Sequence, residues 1–143
     1  MDLKSKIILI AGPTASGKSK IAINLAKKIN GEIVNADSMQ VYKQLKILTA
    51  RPSKKDQKTI KHHLFGIIDV RKRFSTGQWL KKCIKTINLV RKRKKIPIIV
   101  GGTGLYFKAL VDGLVSIPKF KPSEKNKIQS FIKNWAKSNF TKN

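Results

Sequence analysis

A glycine-rich segment that joins a strand pattern to a helix pattern is the feature that most constrains how this chain can fold. Residues 7–11 are continuously apolar and run directly into Gly12-Pro13-Thr14-Ala15-Ser16-Gly17-Lys18-Ser19. Apolar residues then recur at helical spacing at Ile21, Ala22, Leu25, Ala26 and Ile29. This context predicts a phosphate-binding loop (P-loop), because the glycines and the helix start present N–H groups to an anion. The Lys18 ammonium would hold a di- or triphosphate, and the Ser19 hydroxyl would bind Mg²⁺.

The patterns that follow alternate between strands and helices, as in a parallel sheet with crossover helices. Strands are predicted at 32–35, 63–68 and 96–100, and residues 49–61 suit a loop or a weak helix. A helix is predicted from Ser75 or Thr76, and another over 105–112. The inner face of the first comprises Trp79, Leu80, Cys83, Ile84, Ile87 and Val90. The fold class is therefore α/β, a P-loop NTPase-like parallel sheet with flanking helices.

The character of the sequence changes after residue 116. Two prolines, Pro118 and Pro122, flank a linker, and Ser123 is placed to cap a helix. The apolar face of that helix comprises Ile128, Phe131, Ile132 and Trp135. This face needs a partner that the remaining residues do not supply. We therefore predict a core over 1–116, an incomplete helical domain over 117–143, and a fold truncated before completion.

The chain is strongly basic, with 32 Lys and Arg against 7 Asp and Glu and a net charge of +25 over 143 residues. Such an excess favours a polyanionic partner, nucleic acid before an anionic membrane surface. Most of these residues are lysine, so a genome of biased base composition could also produce the excess. The single cysteine, Cys83, excludes an internal disulfide and fits a reducing cytoplasm, and no apolar run is long enough to span a membrane.

Two polar side chains follow predicted strands and are candidates for chemistry. Asp37 comes after the strand at 32–35, and Thr103 lies in the glycine turn after the strand at 96–100. Open α/β sheets bind ligands at the carboxyl ends of their strands, so both residues should lie near the phosphates. Position alone allows Asp37 to be a catalytic base or to cap the following turn. Thr103 can likewise be explained as a helix cap.

Other polar and aromatic residues have less specific signals. Asp69 follows an apolar run and could hold Mg²⁺ in a kinase, although Gly66 weakens the strand and favours an aspartate in a surface loop. His62-His63 has no further ligands at metal spacing, which argues against a metal site. Trp79 and Trp135 lie on apolar helical stripes and should be core or interface residues rather than stacking platforms.

Four motifs in order resemble the tRNA dimethylallyltransferase family, also called tRNA isopentenyltransferases. They are the P-loop, Asn-Ala-Asp-Ser-Met-Gln-Val-Tyr at 35–42, His-His-Leu-Phe-Gly at 62–66 and Val-Gly-Gly-Thr-Gly-Leu-Tyr at 100–106. The resemblance implies transfer of a dimethylallyl group from dimethylallyl pyrophosphate to N6 of the adenosine 3′-adjacent to the anticodon. It also implies a cytoplasmic monomer that acts on the anticodon stem-loop of tRNA and has no membrane partner.

The same resemblance implies roles for individual residues. Thr14, Lys18 and Ser19 would bind the pyrophosphate and Mg²⁺ together with the rest of the P-loop. Asp37 would accept the proton of the attacking amine, and Thr103 would hydrogen-bond near the reacting groups. The tRNA-binding set comprises Asp37, Ser38, Met39 and Gln40.

The chain also departs from the family pattern. Family members continue well beyond this length and include a later Gln-Arg segment, and no Gln-Arg dipeptide occurs here. We therefore expect an N-terminal piece that lacks part of the catalytic channel. Two other functions stay open, a small P-loop kinase that uses Asp69 for metal and a non-catalytic remnant that binds phosphate or RNA.

Overall fold

A parallel four-stranded sheet organises the protein. The computed structural model describes residues 6–45, 51–114, 123, 126, 127 and 129–134. The strands are β1 (Ile8–Ala11), β2 (Gly31–Asn35), β3 (His62–His63) and β4 (Ile96–Gly101), in the spatial order β1-β4-β2-β3. The helices are α1 (Lys18–Ile29), α2 (Lys54–Thr59), α3 (Thr76–Lys92) and α4 (Gly104–Asp112). The predicted α/β class with a parallel sheet and flanking helices is confirmed.

Strand β4 lies between β1 and β2 and is buried along its whole length. Its Val100 is level with Ile10 of β1 and with Asn35 of β2. The carboxyl ends of the three strands therefore meet at one edge of the sheet. Crossover connections place the segments that follow each strand at that same edge, which is where ligands bind in open parallel sheets.

The two faces of the sheet are covered by different helices. On one face, α1 packs its Ala22 and Ala26 against Ile33, Ile98 and Val100. On the other face, α3 and α4 bury a larger cluster made of Val34, Ala36, Val41, Trp79, Cys83, Ile87, Ile99 and Tyr106. The ring of Trp79 stacks on Tyr106 with 4.2 Å between centroids, so its predicted role in the core is confirmed.

The predicted inner face of α3 is wrong at one residue. Ile84 is 47% exposed, whereas Thr86 is buried beside Trp79 and Ile87. Successive helical residues turn by about 100°, so Ile84 lies beyond the edge of the buried stripe while Thr86 lies inside it. The start of the helix is as predicted, with Ser75 as N-cap in a reciprocal capping box with Gln78.

The third strand is shorter than predicted. The apolar run at 63–68 suggested six residues, but β3 contains only His62 and His63. Leu64 (φ 63°) and Gly66 (φ 57°) adopt left-handed conformations that turn the chain out of the sheet. Ile68 then forms an isolated parallel bridge with Tyr42. The polar stretch at 49–61, predicted as a loop or weak helix, contains the six-residue helix α2.

The C-terminal residues that the structure describes are helical over 129–134, within the helix predicted after Ser123. Phe131 is 71% exposed and Ile132 is 55% exposed. Ile128, Trp135 and the proposed boundary at 116/117 lie outside the described residues. None of the helices in the described ranges meets the length and hydropathy that a bilayer span requires.

Candidate functional site

The P-loop connects the end of β1 to the start of α1. The Gly12 N–H donates to the carbonyl of Gly101 at 3.3 Å, which ties the loop to β4. Ala15 and Gly17 have positive φ values of 64° and 78°. Gly17 occupies the N-cap position of α1, and no side chain caps that helix end. No side-chain acceptor therefore competes for the N–H groups of the first turn of α1. These groups can bind an anion, as is typical of anion sites at helix starts.

The charged side chain of the loop lies across it. Lys18 donates from Nζ to the carbonyl oxygen of Pro13 at 2.7 Å. This contact holds the ammonium over the loop, next to the N-terminus of α1. A phosphate placed there would meet the positive end of the helix and a full positive charge together.

Asp37 follows β2 and uses one of its two carboxylate oxygens to stabilise the next turn. Its Oδ1 accepts the N–H of Met39 at 2.9 Å and of Gln40 at 3.3 Å. Within the described part of the chain, Oδ2 has no hydrogen-bond partner. Asp37 thus caps the turn, one of its two predicted alternatives, and retains an oxygen that can accept a proton.

Asn35 fixes the backbone of Asp37 and was not singled out from the sequence. Its Oδ1 accepts the Asp37 N–H at 3.0 Å, and its Nδ2 donates to the carbonyls of Asp37 at 3.0 Å and Leu64 at 3.1 Å. Asn35 is only 1% exposed. The one available signal was an amide side chain two residues before the candidate base, a spacing at which Asn bonds the following backbone.

Thr103 joins the segments after β4 and β2. It occupies the N-cap position of α4, but its side chain makes no capping bond there. Instead its Oγ1 accepts the N–H of Ser38 at 2.9 Å. The alternative of a helix-capping side chain is therefore wrong. Because a hydroxyl accepts and donates at once, the O–H of Thr103 can still donate to a ligand.

A single pocket brings residues of the two predicted sites together. Lys18, Ser19, Asp37 and Gln40 are among the polar residues that line it. Its other lining residues are Ala22, Ile33, Asn35, Pro52, His62, Phe65, Val100 and Gly101. The P-loop cation and the Asp37 carboxylate thus share one cavity. Ser38, Met39 and Thr103 do not line it, and Met39 is 52% exposed.

Asp69 lies in a surface loop, as the second of its two interpretations predicted. Its carboxylate is paired with Arg71, with Nε 2.8 Å from Oδ1 and Nη2 3.0 Å from Oδ2, and Gln44 donates to Oδ2 at 3.0 Å. The hydrogen bonds from Arg71 lower the pKa of Asp69 below its usual range. Asp69 does not line the pocket. Among the described residues, no three His, Cys, Asp or Glu side chains form a metal-binding group.

A buried charge cluster at the opposite end of β2 was also missed. Glu32 is 1% exposed and contacts Arg93 Nη2 at 2.6 Å, His63 Nε2 at 2.6 Å and Lys95 Nζ at 3.6 Å. Burial raises the pKa of Glu32, but the hydrogen bonds from Arg93 and His63 outweigh it and lower the pKa to about 2. The cluster connects β2 with β3 and the end of α3, and none of its four residues lines the pocket.

Comparison with known proteins decides the family. The sequence profile described as IPP transferase matches residues 40–142 of this chain. The chain belongs to the IPP transferase family. The resemblance drawn from the four motifs is therefore confirmed.

Individual relatives in this family agree. The tRNA dimethylallyltransferase of Pelagibacter ubique is 61% identical over 142 residues, which cover 99% of this chain and 45% of the relative. That of Hyphomonas neptunium is 51% identical over 111 residues, 78% of this chain and 35% of the relative.

Two solved structures share the fold. A tRNA isopentenylpyrophosphate transferase from Bacillus halodurans matches with a TM-score of 0.76 and 33% identity, over 90% of this chain and 43% of its own. A eukaryotic dimethylallyltransferase that acts on tRNA matches with a TM-score of 0.79 and 33% identity, over 93% of this chain and 35% of its own. The chain thus spans less than half the length of these IPP transferase family members.

Proposed function

We propose that this chain forms the donor-binding and catalytic core of a tRNA dimethylallyltransferase. The reaction would move a dimethylallyl group from dimethylallyl pyrophosphate to N6 of the adenosine 3′-adjacent to the anticodon. The observation that carries the proposal is the pocket shared by Lys18, Ser19 and Asp37. An anion-binding loop and an unpaired carboxylate oxygen in one cavity suit a reaction that releases pyrophosphate and one proton.

The P-loop would bind the pyrophosphate of the donor. The whole loop, residues 12–19, wraps the anion, with the Lys18 ammonium and the N–H groups at the start of α1 facing its oxygens. As the carbon–oxygen bond breaks, negative charge grows on the leaving pyrophosphate, and these fixed positive groups stabilise it. Neither Thr14 nor Thr103 lines the pocket, but the Thr14 hydroxyl would help to bind the anion and the Thr103 hydroxyl would hydrogen-bond near the reacting groups.

Mg²⁺ fits this site as a shared ligand of protein and substrate. The described residues offer no cluster of three acidic or histidine ligands, but Mg²⁺ typically takes few protein oxygens and completes its shell with phosphate and water. The Ser19 hydroxyl lines the pocket and is the oxygen that would hold it. When bound, the ion would neutralise charge on the pyrophosphate.

Asp37 would act as the base. In the transfer, the N6 lone pair forms a bond to the dimethylallyl carbon while the bond from that carbon to pyrophosphate oxygen breaks. The nitrogen becomes acidic as its lone pair is used, and a proton passes to Asp37 Oδ2. A carboxylate oxygen without a hydrogen-bond partner is the kind of acceptor that a general base requires.

The turn after Asp37 would contact the tRNA. Met39 is exposed, Gln40 lines the pocket, and the Ser38 backbone is fixed by Thr103. An adenine in a stacked loop must leave the stack before its amine can reach the pocket, and an exposed apolar side chain can take the place of a neighbouring base. The net charge of +25 favours the phosphate backbone of the same RNA. We place this contact at the anticodon stem-loop, bound by a monomer.

The proposal is tested in a chimera in which these 143 residues replace the corresponding segment of the Pelagibacter ubique relative. The chimera is incubated with labelled dimethylallyl pyrophosphate, Mg²⁺ and unmodified tRNA, and transfer of label to RNA is measured. We expect labelled tRNA, with the label lost when Lys18 is replaced by Ala. A folded chimera that binds tRNA without forming product would instead support the non-catalytic remnant.

The kinase alternative loses its metal ligand in this structure. It required Asp69 at the phosphate site, but both Asp69 oxygens are engaged by Arg71 and Gln44 on the surface. Transfer of the γ-phosphate of ATP to a small metabolite by the chimera would revive that alternative.

A further inference from the structure

One residue that lines the pocket has a ring nitrogen without a hydrogen-bond partner among the described residues. His62 opens β3, level with Ile33 of β2, and lines the same cavity as Lys18 and Asp37. Its Nε2 atom is buried and makes no hydrogen bond with any described residue. Buried polar atoms are nearly always hydrogen-bonded, so an unpaired one inside a ligand pocket indicates that the ligand supplies the partner.

The other ring nitrogen determines what kind of partner is needed. His62 Nδ1 lies 2.6 Å from the carbonyl oxygen of Ile60. A carbonyl only accepts hydrogen bonds, so Nδ1 carries the hydrogen, and the neutral ring has its lone pair on Nε2. Burial lowers the pKa of His62, although the Ile60 carbonyl and Asp56 act in the opposite direction. Burial thus favours the neutral ring, in which Nε2 requires a donor.

The orientation of the ring is fixed from two further sides. The ring of Phe65 meets it edge-on, with 5.6 Å between centroids and 67° between planes. The backbone of His62 is held by pairing of β3 with β2. A ring held in this way points its Nε2 acceptor in one direction. It is therefore suited to bind one particular ligand atom.

We propose that His62 Nε2 accepts one N–H of the adenine amine while Asp37 Oδ2 accepts the other. This inference rests on the proposed function, because it needs an adenine in the pocket. The exocyclic amine has two hydrogens in the plane of the base. Hydrogen bonds from both hydrogens to the two acceptors, His62 Nε2 and Asp37 Oδ2, would fix the orientation of that plane. The nitrogen lone pair, which lies out of the plane, is then directed at the donor carbon.

The two acceptors would have different roles. Asp37 takes the proton that the amine loses, whereas His62 keeps its hydrogen bond and takes no proton, because burial disfavours its charged form. His62 is thus a substrate-positioning residue, and its contribution is one hydrogen bond to the reacting nitrogen.

The test is a double-mutant cycle between His62 and the amine. Anticodon stem-loop RNA is prepared with adenosine at the reacting position and, as the matched control, with purine riboside, which lacks only the amine. Affinities of both RNAs are measured for the chimera and for its His62→Leu and His62→Gln variants. We expect His62→Leu to weaken binding of the adenosine RNA by about two- to tenfold and to leave the purine RNA unchanged. His62→Gln should retain much of the preference, because its amide oxygen can accept.

An equal effect of His62→Leu on both RNAs, or no effect on either, would overturn the proposal and leave water as the partner of Nε2. If His62→Leu does not fold, the ¹⁵N resonance of Nε2 in the unsubstituted chimera decides. That resonance should shift when adenosine RNA binds and stay in place with purine RNA, and the same shift with both RNAs would refute the contact. Failure here is distinct from failure of the proposed function, since product formation by the unsubstituted chimera is measured separately.

Discussion

Asn35 bonds both ends of the Asp37 backbone unit, accepting its N–H and donating to its carbonyl, each at 3.0 Å. The same amide reaches the carbonyl of Leu64 on the segment after β3. A residue at the end of β2 therefore sets the position of the candidate base and links it to the neighbouring strand.

Asn35→Asp should reduce both stability and activity. The substitution keeps the shape but replaces the donor Nδ2 by an oxygen that faces two carbonyl oxygens in a buried site. Leaving buried acceptors unpaired costs about 1–3 kcal/mol each, so we expect a loss of at least that size in urea denaturation. Asn88→Asp, the same change at an exposed position of α3, is the control and should have little effect. Equal stability of the two variants would contradict this role of Asn35.

Asp37→Asn should separate the two functions of that side chain. The remaining amide oxygen can still accept from Met39 and Gln40, so the turn and the melting temperature should be retained. The base is lost, and we expect turnover in the labelled-donor assay to fall by about 10²- to 10⁴-fold. Asp37→Ala should lose the turn contacts as well, at about 0.5–2 kcal/mol. Full activity of a folded Asp37→Asn chimera would exclude Asp37 as the base.

The charge cluster around Glu32 should make stability depend on pH in the acid range. The folded pKa of Glu32 is about 2 against 4.5 for the free side chain, so the unfolded chain binds the proton more readily. The contribution of Glu32 to the free energy of unfolding is complete above about pH 4.5 and is lost as the pH falls toward 2. The pKa shift corresponds to about 3 kcal/mol of this free energy.

Urea titrations between pH 7 and pH 2 measure this contribution. Glu32→Gln is the matched variant, because its side chain cannot titrate. It should remove the part of the decrease in unfolding free energy below pH 4.5 that Glu32 causes. It leaves Arg93 and Lys95 facing a neutral group, so we expect it to be less stable at pH 7 by about 3–5 kcal/mol. An acid slope that persists unchanged in Glu32→Gln would show that other carboxylates cause it.

Gly101→Ala should distort the edge of the sheet that carries the site. A Cβ at Gly101 would lie 2.1 Å from the carbonyl oxygen of Ala36, a backbone atom that cannot move independently. Overpacking of this kind typically costs about 1–3 kcal/mol. Gly104→Ala is the control, since a Cβ there meets nothing within 4 Å. We expect a lower melting temperature and lower turnover for Gly101→Ala alone, and equal behaviour of the two variants would contradict the close approach.

The parts of the structure that depend on local pattern could be predicted. The strand, loop and helix at 7–29 follow from a continuous apolar run, two glycines and helical periodicity, and Ser75 follows from its capping chemistry. The strand predicted over 63–68 does not continue beyond His63, because Leu64 adopts a left-handed conformation. The residue type of Leu64 gives no indication of that conformation.

The contacts that the sequence could not predict are long-range ones. Helical periodicity predicted that Ile84 lies on the buried face of α3. The width of that face depends on how the sheet and α4 pack against the helix. Thr103 was predicted near the site, yet its bond to Ser38 joins residues 65 apart in sequence. The Glu32 cluster joins three separate segments, and nothing in the local sequence of any one segment indicates the other two.

The position of β4 between β1 and β2 has a consequence for synthesis on the ribosome. The P-loop and Asp37 are made early and lie within 26 residues of each other in sequence, yet the strands that carry them are not neighbours. Each pairs with β4, which is translated some sixty residues later. A nascent chain that ends before Ile96 therefore has both halves of the pocket but no strand to align them, and we expect it to bind pyrophosphate only after β4 has left the exit tunnel.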